Sequence, residues 1–160
     1  MINLIARLNG VDTQPYKEKA YGDCMVVPFG KILAGVAVPN TVTKTLHTEK
    51  YFSRDVSDFT VEESSFYSTL ENQIRTIKSF NRPVILVDDL LHKGYRMNAI
   101  DPILKANDVE VVETVAGGQT GRGRDLMTIK ERTVDSAYFL PNLKCWIDES
   151  AMYPYIGGDC

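Results

Sequence analysis

At 160 residues, 44% hydrophobic and 24% charged, the chain is the size of one compact domain and can bury a core without disulfide or metal staples. Its 18 basic residues are outnumbered by 21 acidic ones, a net charge of −3, which argues against a nucleic-acid partner held by bulk charge and leaves room only for a local basic site. Cys24, Cys145 and Cys160 are odd in number and lack metal-ligand spacing, which argues against a disulfide framework or a zinc site and fits a reducing compartment.

The N-terminal stretch Met-Ile-Asn-Leu-Ile-Ala-Arg-Leu-Asn-Gly has neither the basic start nor the apolar run of a signal peptide, and no window reaches membrane-spanning length, so a cytoplasmic location without membrane contact is expected. Cys24 to Phe29 and Lys31 to Val38 are apolar, β-branched runs separated by Pro28 and Gly30, and are predicted as two short strands. From Thr41 to Asp58 the apolar period disappears and a polar loop is expected. Phe66, Leu70, Ile74 and Ile77 then fall on one helical face, with Thr60 and Glu63 as a capping box.

Pro83 stops that helix and opens a strand over Val84 to Val87, whose consecutive apolar residues imply burial on both faces of a sheet. A helix is predicted from Tyr95 to Ala106, with Met97, Ile100 and Leu104 inward and a kink at Pro102. Asn107 and Asp108 turn the chain into a strand over Val109 to Ala116. Val84 to Ala116 therefore reads as a β-α-β unit with right-handed winding. Glycine-rich, basic sequence from Gly117 to Arg124 is expected as a turn, followed by a short helix around Asp125 to Lys130. The last strand is placed in Ser136 to Ile147, interrupted by Pro141.

In such a unit the residues after the first strand stand at the sheet's carboxyl edge, where backbone amides and the helix dipole converge on ligands. Asp88 and Asp89 are predicted at that edge, followed by His92, Lys93, Gly94, Tyr95 and Arg96. Two adjacent carboxylates after a buried strand call for a compensating ligand, cation or water; the plainer alternative is that they cap the following turn. Gly118, Gly121, Arg122, Gly123 and Arg124 form a second glycine-rich turn that either cradles an anion or is a basic surface hairpin.

The run Val84 to Met97, Val-Ile-Leu-Val-Asp-Asp-Leu-Leu-His-Lys-Gly-Tyr-Arg-Met, resembles the 5-phosphoribosyl-1-pyrophosphate (PRPP) motif of the type I phosphoribosyltransferases. The resemblance implies a three-layer α/β domain over 1–160, a mainly parallel sheet flanked by helices with an irregular C-terminal cover, whether complete or part of a longer protein. It implies that Asp88 and Asp89 hold ribose hydroxyls and approach Mg²⁺ through the ligand, and that His92 to Arg96 surround the 5′-phosphate. The family's loop typically runs Thr-Thr-Gly-x-Thr; here only the glycine is kept, and His92, Lys93 and Arg96 offer charge instead of hydroxyls. Gly35 to Thr41 stands where the family places a pyrophosphate loop. Thr43 to Asp58, with Lys44, His47, Lys50 and Arg54, stands where it places a mobile lid, and a plain solvated loop is the alternative. Lys44 joins the Gly118 to Arg124 set as a candidate for pyrophosphate or a second anion.

The implied function is binding of PRPP or a nucleoside monophosphate, with transfer of phosphoribosyl to a nitrogen acceptor and release of pyrophosphate. The alternative is a regulatory module of the same fold that keeps ribose-phosphate recognition without catalysis. A response-regulator receiver fits poorly, because its acid pair closes the first strand and here much of the chain precedes Asp88. No catalytic base is assigned. Trp146 is either core, interface or a stacking surface for a base, and Tyr153 to Asp159 is compatible with a lid, a homodimer contact or a link to further chain.

Overall fold

The computed structural model describes residues 24–29, 42–55 and 57–143. Its centre is a five-stranded sheet of β1 (Met25–Pro28), β2 (Val42–Thr43), β5 (Val84–Leu91), β6 (Val111–Gln119) and β7 (Val134–Phe139), in the order β2-β1-β5-β6-β7. Every pairing in it is parallel. Three helices, α1 (Leu70–Ser79), α2 (Tyr95–Ala106) and α3 (Gly121–Ile129), are described. Side chains from all three, among them Ile74, Ile77, Ile100 and Met127, share one core with Met25, Val27, Val84 and Leu86. These strand residues alternate with Val26, Ile85 and Val87, which point to the other face and are equally buried. Both faces of the sheet are thus shielded from water, as consecutive apolar residues in a parallel strand require.

The β5-α2-β6 unit stands where expected, but its strands are longer. β5 was expected to end at Val87 and runs to Leu91, because β6 keeps pairing with it through Asp88↔Ala116, Leu90↔Gly118 and Leu91↔Gln119. Among the described residues β1 pairs with β5 as far as Pro28↔Val87. Asp88 and Asp89 therefore lie inside the strand, just past its last described pairing with β1 and still alongside β6. Gly117 and Gly118 belong to β6 rather than to a turn. The expected helix over 125–130 begins earlier, at Gly121, with Thr120 accepting a hydrogen bond from the Gly123 N–H at 3.2 Å. β7 begins at Val134, two positions before the expected start, and ends at Phe139.

The described part of the predicted loop over 41–58 is not a loop throughout. It contains β2 and β3 (Thr48–Phe52), and β3 pairs antiparallel with β4 (Phe59–Glu63). This hairpin stands apart from the main sheet and has no face fully buried, so it lacks the apolar alternation that marks a strand in sequence. Local contacts hold it instead: Phe52 packs on Phe59 at 5.5 Å between ring centroids, and the Tyr51 hydroxyl donates to the Glu63 carbonyl at 3.1 Å. Its turn is organised by Asp55, whose carboxylate accepts from the hydroxyls of Ser53 and Ser57. Those hydrogen bonds pull the Asp55 carboxyl down to about 2.

The capping box also has to be corrected. Thr60 and Glu63 lie in β4, Phe66 precedes the helix and is 91% exposed, and α1 is capped by Thr69, which accepts from Asn72 N–H. Glu63 nonetheless reaches that helix start, accepting from Leu70 N–H at 3.3 Å. α2 continues through Pro102 without interruption. The strand expected over 31–38, the loop over 35–41, Trp146 and residues 153–159 lie outside the described residues.

Candidate functional site at the carboxyl edge of the sheet

β5 leaves the sheet at Leu91, and His92 and Lys93 lead to Gly94, the N-cap of α2. Gly94 has φ +69°, a left-handed conformation that only glycine adopts without strain. A glycine cap supplies no side-chain acceptor, and none serves this helix start. The first-turn amides of α2 therefore lack intrahelical partners and face the edge with the positive end of the helix dipole.

Arg96, on that first turn, reaches back along β5 to Asp88, with its NH1 2.5 Å from Asp88 Oδ1 and 3.9 Å from Asp89 Oδ1. The guanidinium also lies 5.8 Å from the centroid of the Phe29 ring, just beyond β1. Asp88 is buried and Asp89 half-buried: their side chains are 6% and 31% exposed. Burial works to raise the Asp88 carboxyl, with the Arg96 charge pulling it back and Asp89 adding to the rise. Asp88 Oδ1 also accepts from Asp89 N–H at 3.0 Å, and Asp89 Oδ1 accepts from Leu90 N–H at 2.8 Å. A buried acid held by one partly exposed cation has the perturbed ionisation that recurs at functional sites.

His92 turns toward α3, with Nδ1 2.9 Å from Thr120 Oγ1. Thr120 N–H donates to the Leu91 carbonyl at 3.0 Å, so the loop after β5 and the start of α3 are tied together. Burial, and then the charges of Lys93 and Arg122, hold the His92 imidazole below its ordinary value. Arg122 thus stands within electrostatic reach of the first loop, as expected of two loops that follow adjacent parallel strands. The Arg124 guanidinium lies over the ring of Phe139, the last residue of β7, at 4.6 Å.

The glycines of this segment serve packing more than an open cradle. A Cβ on Gly123 would stand 2.2 Å from the Leu91 carbonyl oxygen, and one on Gly118 would touch Leu90 and Leu140 side chains; only Gly121 has open space there. The Tyr95 ring meets Phe59 edge-on, with 4.7 Å between centroids. That contact docks the β3–β4 hairpin against the start of α2, with Lys50 over Phe59 and Lys93 over Tyr95. Lys44 is exposed after β2, its N–H donating to the Val26 carbonyl. His47 is turned away, stacked on Tyr67 at 3.5 Å, with its backbone bracketed by the Gln73 side chain.

Sequence reasoning passed over Thr120, Gln119 and Phe59. Thr120 carries a readable signal, a threonine just ahead of a helix. Gln119 ends β6 with a buried amide whose Oε1 accepts from the Ser136 hydroxyl and whose Nε2 has no partner among the described residues; nothing in its sequence neighbourhood announces this. Among the described residues no group of three or more His, Cys, Asp or Glu is placed to hold a metal ion, and no helix is long and apolar enough to cross a membrane.

No protein-family model matches the chain, and no curated protein matches it in sequence. Solved structures do match. A purine phosphoribosyltransferase from Pyrococcus horikoshii Ot3 aligns over 92% of this chain and 89% of its own, with TM-score 0.52 at 12% identity. An adenine phosphoribosyltransferase from Thermoanaerobacter pseudethanolicus ATCC 33223 aligns over 85% and 80%, with TM-score 0.51 at 11% identity. The mainly parallel sheet and its helices are thus the type I phosphoribosyltransferase fold.

Proposed function

We propose that this chain binds a phosphorylated ribose, PRPP or a nucleoside monophosphate, at the turn from β5 into α2. The observation that carries this reading is the placing of two carboxylates in the second half of β5 beside a glycine-capped helix start, in a fold shared with purine and adenine phosphoribosyltransferases. Asp88 and Asp89 would accept hydrogen bonds from the ribose hydroxyls, and the amides of residues 93–96, with Lys93 and Arg96, would hold the 5′-phosphate. His92, anchored on Thr120, would border the phosphate. Arg122, with Lys44 at the same edge, would add charge for pyrophosphate or a second anion.

With PRPP as substrate, an acceptor nitrogen would attack the anomeric carbon as the bond to pyrophosphate breaks. The protein's part would be to position the two and to stabilise the leaving group's charge. Mg²⁺ would neutralise that pyrophosphate; the donors beside it are Asp88, already engaged by Arg96, and the more accessible Asp89, so the ion would be held largely through the ligand.

A second reading, a module that recognises ribose phosphates without turnover, is favoured by the same Asp88–Arg96 pair and by charged side chains in place of loop hydroxyls. Calorimetry with PRPP, a nucleoside monophosphate and pyrophosphate, followed by a product assay across nucleobases, separates the two. Binding with turnover supports the transferase, and binding alone supports the module. Asp89→Asn is expected to weaken ribose phosphates by roughly 1.5–3 kcal/mol, the scale of hydrogen bonds to a charged group, and to leave pyrophosphate affinity nearly unchanged. Equal affinity of Asp89→Asn and the parent chain for nucleoside monophosphate would remove the ribose from this turn.

A further inference from the structure

The first helical turn of α2 carries a cation that is engaged elsewhere. Arg96 belongs by position to the phosphate-facing turn, yet its guanidinium lies on Asp88, one of the two acids proposed to face the ribose. The two partners differ in freedom: the Asp88 side chain is 6% exposed and fixed within a strand, whereas the Arg96 side chain is 25% exposed on a long arm. Of the two, Arg96 therefore has the greater freedom to be displaced. An intermediate resting place is at hand, since Asp89 Oδ1 is 3.9 Å from the same nitrogen. The departure of Arg96 would leave a buried carboxylate without its partner, which is costly unless another donor takes its place.

We infer that Arg96 is a phosphate-operated latch on Asp88: without ligand it occupies the carboxylate, and an anion at the start of α2 draws it away and releases Asp88 to a ribose hydroxyl. This rests on the proposed ribose-phosphate site and adds a specificity to it. A phosphate and a ribose on one molecule satisfy both ends of the exchange, because the phosphate takes the guanidinium and the hydroxyl takes the vacated carboxylate. A riboside without phosphate must displace Arg96 unaided. A free anion must leave Asp88 uncompensated. The two halves of the ligand are therefore positively coupled, and the coupling is reciprocal. An ordinary fixed ion pair predicts no such dependence.

The test titrates the full chain with methyl β-D-ribofuranoside, followed by NMR, with and without saturating sulfate, alongside ribose 5-phosphate. Sulfate is expected to tighten the riboside about tenfold, within the usual range of coupling between sites. Arg96→Gln is expected to bind the riboside more tightly than the parent chain without sulfate, to lose the sulfate effect and to weaken ribose 5-phosphate. Should Arg96→Gln not fold, Arg96→Lys, which keeps the charge but not the planar fork, is expected to retain a reduced sulfate effect. Ribose 5-phosphate binding with no sulfate enhancement in the parent chain, or with the enhancement intact in Arg96→Gln, overturns the latch and leaves the ribose-phosphate site standing. Failure of ribose 5-phosphate to bind at all overturns both.

Discussion

Gly121 and Gly123 stand two positions apart at the start of α3, and only one of them has to be glycine. At Gly123 a side chain would be driven into the backbone carbonyl of Leu91, which cannot yield without separating α3 from β5, while at Gly121 it would enter open space. Gly123→Ala is accordingly expected to cost about 1–3 kcal/mol, the scale of overpacking, and Gly121→Ala to stay within about 0.5 kcal/mol of the parent chain; denaturant unfolding of the two variants checks the contrast. At Gly94 the reason is conformational, its φ of +69°. These differences could not be read from glycine spacing, because a close backbone approach is set by which strand runs alongside and how far it extends. The acid pair was legible as a site candidate, whereas its internal partner was not: Arg96 is eight positions away and meets Asp88 only because the turn folds α2 back over β5.

Among the elements, α2 carries the site at one end and a separate ionic clasp near the other. Asp101 is 2% exposed on the helix's inner side. It binds Arg132 through Nε at 2.8 Å and NH2 at 2.7 Å, with Lys105 at 3.3 Å and Lys130 at 3.7 Å. The clasp ties α2 to the segment leading from α3 into β7. Burial works to raise the Asp101 carboxyl, but the hydrogen bond and charge of Arg132, joined by Lys105, outweigh it and hold the group below its ordinary value. A carboxylate with a depressed native pKa stabilises the fold above its unfolded value and loses that contribution as pH falls through the native one. Unfolding free energy measured down from pH 5 should therefore fall in acid, and Asp101→Asn should flatten that slope while costing about 3 kcal/mol at pH 7, the lower end for a broken buried pair. An unchanged acid limb in Asp101→Asn would assign the slope to other carboxylates. Helical spacing revealed Met97, Ile100 and Leu104 as the inward face, and it concealed Asp101 because an acid beside an apolar stripe reads as surface until its basic partners are known.

For the whole molecule, the β-α-β core was legible because buried parallel strands and an amphipathic helix each leave a period in the sequence. The β3–β4 hairpin left none, since it packs by scattered aromatic and cross-strand contacts outside the main core. Its docking onto Tyr95 through Phe59 nevertheless places a two-stranded flap beside the proposed phosphate site. Strand ends were the other blind spot: apolar runs mark where a strand is buried, while hydrogen bonding to β6 decides where β5 stops. The carboxyl edge of the sheet, where these elements converge, is the part of the fold on which the functional reading depends. A crystal structure of the chain with PRPP tests that reading most directly. Ribose hydroxyls are expected within hydrogen-bonding distance of Asp88 and Asp89, and the 5′-phosphate on the amides of residues 93–96. Ligand bound elsewhere, with the β5–α2 turn vacant, would contradict it.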